Sequence, residues 1–337
     1  MTAHVMSQTA IEWTDETWNP VTGCTKVSAA CAHCWAERQA LRRMAPEWRG
    51  ERPWTEVRCH PERLEQPLHW RRPRKIAVCL MGDLFHGTVP DAFIDQVFAV
   101  MALCPQHVFQ VLTKRPERMR KHVTARRLEV MDAARSIRAW REDEGPAWPV
   151  PNVWLGTSAE DQKTLDERWF HLRLTPAAVR FLSLEPLLEW VDFQGMYEYV
   201  DSETLILPDW VIVGGESGPG ARPCDVAWIR SIVRQCQAAD VPCFVKQVGA
   251  NVQDRNDRLS TEGPGCDPWD SRDWPEPEGG WDDGFRGNVE RDLGGYRDDY
   301  QGAPVRLRLK SRKGGDRAEW PADLRVRQFP EVSRGRV

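Results

Sequence analysis

The chain has 337 residues, of which 41% are hydrophobic and 28% charged, and its formal net charge at pH 7 is -4. This composition is typical of a globular protein, and no apolar run approaches the roughly 20 residues that span a bilayer, so we expect no membrane segment. A pI near 6.1 excludes a global attraction to nucleic acid, so any polyanion site is local. Residues 1–10 lack the apolar stretch of a secretory signal, and we expect a cytoplasmic protein.

Three cysteines follow the first predicted strand, which covers residues 18–21. Cys24, Cys31 and Cys34 have the spacing C-x6-C-x2-C, directly before a stretch with helical character over residues 35–44. Three soft thiolates so close together indicate a metal site. Because the cytoplasm keeps thiols reduced, we expect no disulfide framework among the ten cysteines.

The middle of the chain repeats a unit in which a short apolar run precedes a polar turn and, usually, a segment with helical spacing. Runs that are apolar throughout are typical of parallel strands covered on both faces. The sequence therefore predicts an α/β fold with about seven βα-type units, arranged as a partial or near-complete parallel, TIM-like (β/α) barrel. The strands predicted after the first cover residues 76–81, 108–112, 153–155, 179–184, 211–213 and 244–245.

Polar residues stand at the end of each of these predicted strands. In a parallel barrel the strand ends share the C-terminal face, where such folds place their active sites. Turn chemistry explains some of the glycines, but it does not readily explain Lys246 or the pair Glu185 and Glu216. The strand ends carry Gly82-Asp83, Thr113-Lys114-Arg115, Gly156-Thr157-Ser158, Glu185-Pro186, Gly214-Gly215-Glu216-Ser217 and Lys246-Gln247.

The character of the chain changes after Gly249. Residues 251–304 are rich in Asp, Gly, Pro and Trp, and we interpret them as an irregular insertion or lid. Residues 305–337 regain apolar side chains and contain many arginines. We expect this tail to pack on the barrel, which we assign to residues 1–250.

Zinc and an iron-sulfur cluster are the two metal sites that the cysteines allow. A structural zinc site needs four protein ligands, and His33 or the pair Cys59-His60 would complete one. A 4Fe-4S cluster held by three cysteines instead leaves one iron open for an exogenous ligand. The strand pattern around the cysteines favours the iron-sulfur cluster, with zinc as the alternative.

Five short motifs accompany the cysteines along the predicted barrel. They are Ile11-Glu12-Trp13-Thr14, Trp18-Asn19-Pro20-Val21-Thr22-Gly23-Cys24, Gly82-Asp83-Leu84-Phe85, Gly214-Gly215-Glu216-Ser217 and Phe244-Val245-Lys246-Gln247. A three-cysteine loop after the first strand of a parallel barrel resembles the radical S-adenosyl-L-methionine (SAM) superfamily, and His33 holds the place of its aromatic residue. Over residues 8–250 the chain is more narrowly similar to a phage-borne three-Cys-motif family of radical-SAM-like proteins. The loop between the first two cysteines is longer than the superfamily usually has, and the narrower family shares it.

The resemblance implies a barrel of the radical SAM type and a defined chemistry. The open iron binds the amino and carboxylate groups of SAM, and reduction of the cluster breaks a carbon-sulfur bond. The resulting 5′-deoxyadenosyl radical takes a hydrogen atom from an unactivated carbon of the substrate. A flavodoxin or ferredoxin-type reductant would supply the electron.

The order of the strands then gives candidate roles to residues at the barrel face. The expected contacts of the cofactors are His33, Gly82, Asp83, Thr157, Ser158, Glu160, Ser217 and Arg222, and the candidate catalytic residues are Glu185, Glu216 and Lys246. Gly82 and Asp83 match the place where the superfamily binds the methionine amino group. Thr157, Ser158 and Glu160 would meet the ribose or the carboxylate.

The sequence does not name the substrate or the oligomeric state. Phage context and similarity to DNA-lesion lyases suggest a nucleobase or modified nucleotide, with phosphate contacts from Lys114, Arg115, Arg118 and Arg120. Our sharper hypothesis is a radical isomerase in the hypermodification of thymidine or another pyrimidine of phage DNA, acting in the host cytoplasm and protecting the genome from restriction. The alternatives are a DNA-lesion repair lyase of the same superfamily and a non-catalytic, zinc-stabilised nucleic-acid-binding protein.

Overall fold

The structure is a computed structural model, and it describes residues 9, 11–43, 53–138, 147–193, 206–254, 305–306, 309–311 and 313–330. Its strands are β1 (Glu16–Trp18), β2 (Val21–Thr22), β3 (Arg58–Cys59), β4 (Lys75–Val78), β5 (Val108–Thr113), β6 (Val153–Ser158), β7 (Val179–Leu184), β8 (Trp210–Gly214), β9 (Cys224–Asp225), β10 (Cys243–Gln247), β11 (Val252–Asp254) and β12 (Val305–Arg306). Its α-helices are α1 (Trp35–Arg43), α2 (Asp91–Ala102), α3 (Pro116–Ala125), α4 (Arg127–Ile137), α5 (Gln162–Arg173) and α6 (Val226–Ala238).

A curled sheet of seven strands forms the framework, in the order β1-β4-β5-β6-β7-β8-β10. Every neighbouring pair in this sheet is parallel. Helix α2 follows β4, α3 and α4 follow β5, α5 follows β6, and α6 precedes β10. The chain is therefore an α/β protein built on a parallel half-barrel, and the prediction of a partial TIM-like barrel is confirmed at this level.

Two predicted strands are interrupted or end early in the structure. The strand predicted over residues 18–21 is instead two short strands, β1 and β2, and β2 pairs antiparallel with β3 in a separate sheet. Pro20 lies between them and has no N–H for a ladder hydrogen bond, so one continuous strand is disfavoured. The strand predicted over residues 76–81 ends at Val78, because Cys79 has a φ of 58° and leaves the extended conformation.

The two faces of the half-barrel sheet are buried against different partners. On the outer face, side chains such as Val111 and Leu155 share a core with buried residues of the helices. On the inner face, near the strand starts, aromatic rings form a separate cluster around Trp210, which lies 5.7 Å from Phe181 and 6.2 Å from Phe244 between ring centroids. This cluster fills the half-barrel at the end opposite the cysteines.

Along β7 and β10 the inner-face residues change from aromatic to polar toward the carboxyl end. Phe181 is followed at two-residue spacing by Ser183 and Glu185, and Phe244 is followed by Lys246. Successive side chains of a strand point to opposite faces, so residues two apart share a face. The polar members line an open cavity at the strand ends.

The C-terminal segment packs along β10. The Val245 amide donates to the Val326 carbonyl at 3.0 Å, and the Gln328 amide donates to the Cys243 carbonyl at 2.8 Å. Strands β12, β11 and β9 form a separate three-stranded sheet. Apart from residues 251–254, the predicted insertion or lid lies outside the described residues. No helix in the described ranges is long and apolar enough to cross a membrane.

Candidate active site

A cavity of about 800 Å³ opens at the carboxyl ends of the strands. Its wall combines the loop of the three cysteines with residues at the strand ends of the half-barrel. The structure therefore brings together most of the site residues that were predicted from the sequence. The predicted site residues that line the cavity are Cys24, Cys31, His33, Cys34, Gly82, Asp83, Ser158, Glu185, Glu216, Ser217 and Lys246.

The three loop cysteines are half-buried and face this cavity. Four cysteines that lie inside apolar runs of the sequence are buried: Cys79, Cys104, Cys236 and Cys243. The described part of the chain contains no group of three or more His, Cys, Asp or Glu side chains arranged to hold a single metal ion. The thiolates of a three-cysteine cubane bind different irons, so they need not converge on one point. Three accessible soft donors at one cavity wall fit such a cluster.

Close backbone contacts set the start of the cysteine loop. Gly23 has a φ of 86°, and a side chain there would collide with the carbonyl oxygen of Glu56. Gly23 also forms a parallel bridge with Gly82, where a Cβ atom would lie 2.9 Å from the carbonyl oxygen of Val21. Both positions therefore require glycine, and together they bring the loop against the end of β4.

Glu160 fastens the middle of the cysteine loop from the end of β6. Its Oε1 accepts a hydrogen bond from the amide of Ala30 at 3.1 Å, within the short 3-10 helix Ala29–His33 that contains Cys31. Its Oε2 lies 2.9 Å from Arg168 Nη1. The side chain of Glu160 is fully buried, so it supports the loop from behind the cavity wall.

Glu216 and Arg222 hold the same loop from the end of β8. Arg222 pairs with Glu216 at 2.8 Å and also donates to the Ala29 carbonyl at 2.9 Å. His33 Nδ1 lies 3.0 Å from Glu216 Oε2. Burial opposes ionisation of Glu216, but hydrogen bonds from Arg222 and His33 outweigh it and hold the pKa of this carboxyl below its usual value. The carboxylate is thus kept charged next to the cysteines.

Arg115 joins Cys24 to Asp83 on the opposite side of the loop. Its Nη1 lies 2.7 Å from Asp83 Oδ2 and donates to Cys24 Sγ at 3.4 Å, while Nη2 donates to the Thr25 carbonyl at 3.0 Å. Thr113 donates its hydroxyl to Asp83 Oδ1 at 2.7 Å. Burial and the Asp83 carboxylate raise the pKa of the Cys24 thiol, and the Arg115 guanidinium opposes them. From the sequence Arg115 is expected to contact phosphate, and its hydrogen bond to Cys24 was not predicted.

A second polar cluster lies across the cavity, at the ends of β7 and β10. Lys246 Nζ donates to both oxygens of Glu185, at 2.7 and 2.8 Å. Gln247 Nε2 donates to Glu185 Oε1 at 3.0 Å. The sequence predicted Glu185 and Lys246 as catalytic candidates, and the structure brings them into direct contact. Together they present both donors and acceptors to a bound molecule.

Two serines lie beside each other on the inner face, between the two clusters. Ser158 of β6 and Ser183 of β7 are partners in register, and both line the cavity. Within the described residues neither hydroxyl has a hydrogen-bond partner, so each can donate to or accept from a ligand.

Three predicted cofactor contacts do not line the cavity. Thr157 points to the opposite face from Ser158, because adjacent residues of a strand alternate, and its hydroxyl donates to the Thr113 carbonyl at 2.8 Å. Glu160 and Arg222 stand behind the wall and bind the backbone of the cysteine loop. Their contacts are with the loop rather than with the cavity.

The predicted phosphate contacts are also divided by the structure. Lys114 and Arg115 line the cavity. Arg118 instead donates to the carbonyl of Val89 at 2.6 Å and pairs with Asp91 at 2.7 Å. Arg120 lies over the ring of Phe170, 5.9 Å from its centroid. Of the two predicted phosphate contacts that line the cavity, Arg115 pairs with Asp83, and Lys114 has no carboxylate partner in the described part of the chain.

Comparison with known proteins gives the family of the chain. A family model described as a protein of unknown function (DUF5131) matches residues 8–278, which is more than half of the chain. No curated protein and no solved structure gives a significant match. The chain therefore belongs to the DUF5131 family, whose function is unknown.

Proposed function

We propose that the chain is a radical SAM enzyme that holds a 4Fe-4S cluster through Cys24, Cys31 and Cys34 and binds SAM in the adjoining cavity. The observation that carries the proposal is the position of three half-buried thiols at the open end of a parallel half-barrel. A cluster held by these cysteines would supply the electron that cleaves SAM to methionine and a 5′-deoxyadenosyl radical. The motif resemblance supports the same pair of cofactors.

The cavity wall offers SAM specific partners. Its volume lies within the range of about 300–1,000 Å³ that is usual for ligand pockets. The Asp83 carboxylate already accepts hydrogen bonds from Thr113, Arg115 and the amides of Phe85 and Lys114, which occupies its lone pairs. We therefore expect the methionine amino group to meet the backbone near Gly82 rather than this carboxylate. The Ser158 and Ser183 hydroxyls are suited to the ribose.

Glu185, Lys246 and Gln247 are suited to orient the substrate. The Lys246 ammonium and the Gln247 amide are donors, and the Glu185 carboxylate is an acceptor. A nucleobase presents both donors and acceptors along its edge, so this cluster matches its chemistry. We assign these three residues to substrate orientation and proton exchange at the base.

The charge of the cavity favours an anionic substrate. Among the described residues, every carboxylate that lines the cavity is ion-paired, namely Glu12, Asp83, Glu185 and Glu216. Lys114 and Lys313 also line it, and neither has a carboxylate partner within the described ranges. The surplus positive charge attracts phosphate. We propose a modified nucleotide or DNA as the substrate, and the phage resemblance favours radical isomerisation of a hypermodified pyrimidine.

The cofactor content tests the proposal directly. We expect protein purified without oxygen to be brown, to absorb broadly at about 400 nm and to contain about four iron atoms per chain. Addition of SAM and a strong reductant is expected to release 5′-deoxyadenosine, which chromatography measures. A colourless protein with one tightly bound zinc per chain would contradict the proposal and favour the zinc-stabilised binding protein.

Replacement of Lys114 tests the anionic substrate. We expect Lys114→Met to weaken binding of a short single-stranded oligonucleotide by about fivefold and to reduce the slope of log Kd against log salt by about one, because one phosphate contact is lost. Fluorescence anisotropy over a range of salt concentrations measures both. Lys121→Met is the matched control, since Lys121 pairs with Glu117 on the surface of α3. A salt slope that Lys114→Met leaves unchanged would contradict a phosphate contact at this lysine.

A further inference from the structure

Arg115 is held by Asp83 and Thr25 in a position that directs its Nη1 toward Cys24. Besides the contacts of its Nη1 with Cys24 and Asp83, its Nη2 donates to both the carbonyl and the hydroxyl oxygen of Thr25 at 3.0 Å. The side chains of Arg115 and Asp83 are only 15% and 6% exposed. A planar guanidinium held at both ends of its fork has little freedom to turn away from the sulfur. Its direction toward Cys24 is therefore set before any ligand binds.

Such a contact changes the electrostatics of a metal-bound thiolate. Hydrogen bonds to the cysteine sulfurs and nearby positive charge favour the reduced state of an iron-sulfur cluster. The Asp83 carboxylate acts in the opposite direction, so part of the guanidinium charge is compensated. Arg115 Nη1 pairs with Asp83 and also meets Cys24 Sγ directly, so its hydrogen bond to the sulfur adds to the part of the charge that Asp83 leaves.

We propose that Arg115 is a positioning residue that raises the reduction potential of the cluster through the Cys24 thiolate. The inference rests on the proposed function, since it requires the cluster. Arg115 keeps its proton and its hydrogen bond while one electron arrives from a flavodoxin or ferredoxin-type reductant, so no bond forms or breaks in this step. Arg115 lines the cavity, and the role explains why its Nη1 is directed at a ligand sulfur.

The midpoint potential of the reconstituted protein tests the role of Arg115. Arg115→Gln removes the charge, and we expect the equilibrium constant for one-electron reduction to fall about tenfold, which is about 59 mV. Arg115→Lys keeps the charge but lacks the planar fork, and we expect a fall of about threefold. Arg126→Gln is the matched control: Arg126 pairs with Asp95 at 2.6 Å away from the cavity, and its loss should leave the potential unchanged.

The possible outcomes separate this inference from the proposed function. Wild-type protein that takes up no iron would overturn both. Cluster-containing Arg115→Gln protein with the wild-type potential would overturn the inference alone. Should the glutamine variant assemble no cluster, the lysine variant decides, and a wild-type potential in that variant overturns the role of Arg115. A lowered potential in Arg115→Gln, or in Arg115→Lys where the glutamine variant assembles no cluster, supports it if the Arg126 control is unchanged.

Discussion

Replacement of Cys24, Cys31 or Cys34 with alanine is expected to remove the cluster while the fold persists. Each thiol is partly exposed at the cavity wall, so its removal leaves no cavity in the core. Each is also one of three ligands, and two thiolates do not retain a cubane. We expect the iron content of each variant to fall below about one-tenth of the wild-type value, with no 5′-deoxyadenosine formed. Iron and sulfide analysis measures the first effect, and circular dichroism checks the fold.

Cys59→Ala is the control that separates a three-cysteine cluster from a four-ligand zinc site. Cys59 is also half-buried, but it pairs with Val21 in the small antiparallel sheet and does not line the cavity. Its neighbour His60 has both ring nitrogens engaged, with Thr22 at 2.8 Å and Glu62 at 3.0 Å. We expect Cys59→Ala to keep its full iron content. If Cys59→Ala lost as much metal as the variants of the three loop cysteines, Cys59 would be a fourth ligand. That result would contradict a cluster in which one iron has no protein ligand.

Apolar runs predicted the parallel sheet well because both of its faces are covered. The strand predicted over residues 179–184 coincides with β7, whose outer face packs under helices and whose inner face carries Phe181. The strand predicted over residues 153–155 was too short, since β6 continues through Gly156 and Thr157 to Ser158. Gly156 and Thr157 pair with both β5 and β7, and Ser158 pairs with β7, although all three are small or polar. All three residues are buried, so the hydrophobic run ends before the strand does where the strand borders a cavity with polar walls.

The parts of the site that lie close together in the sequence could be predicted. The parts that depend on contacts between residues far apart in the sequence could not. The three cysteines lie in one loop, and their spacing alone indicated a metal site. The contact of Glu160 with Ala30 joins residues 130 positions apart, so no local pattern reveals that this carboxylate fastens the loop. The orientation of Thr157 follows from strand alternation, but only once the register of β6 is known.

Replacement of Glu160 with alanine is expected to lower the free energy of unfolding by about 3–5 kcal/mol, because it breaks a buried ion pair by removing one partner. The side chains of Glu160 and Arg168 are 0% and 9% exposed, so the Arg168 charge would stay buried without a carboxylate. The Ala30 amide would also lose its acceptor. Urea unfolding of the metal-free protein measures the effect without any contribution from the cluster.

A second variant separates the buried charge from the support of the loop. In Glu160→Ala/Arg168→Met both charges are absent, and we expect at least about half of the lost stability to return. The Ala30 amide still lacks its acceptor, so iron uptake should stay below the wild-type level even in the stabilised double variant. Asp132→Ala is the control, since it breaks an exposed pair with Arg135 and should cost less than about 1 kcal/mol. If Glu160→Ala lowered the free energy of unfolding no more than this control does, Glu160 would not stabilise the cysteine loop. The position of the loop would then depend on Glu216 and Arg222.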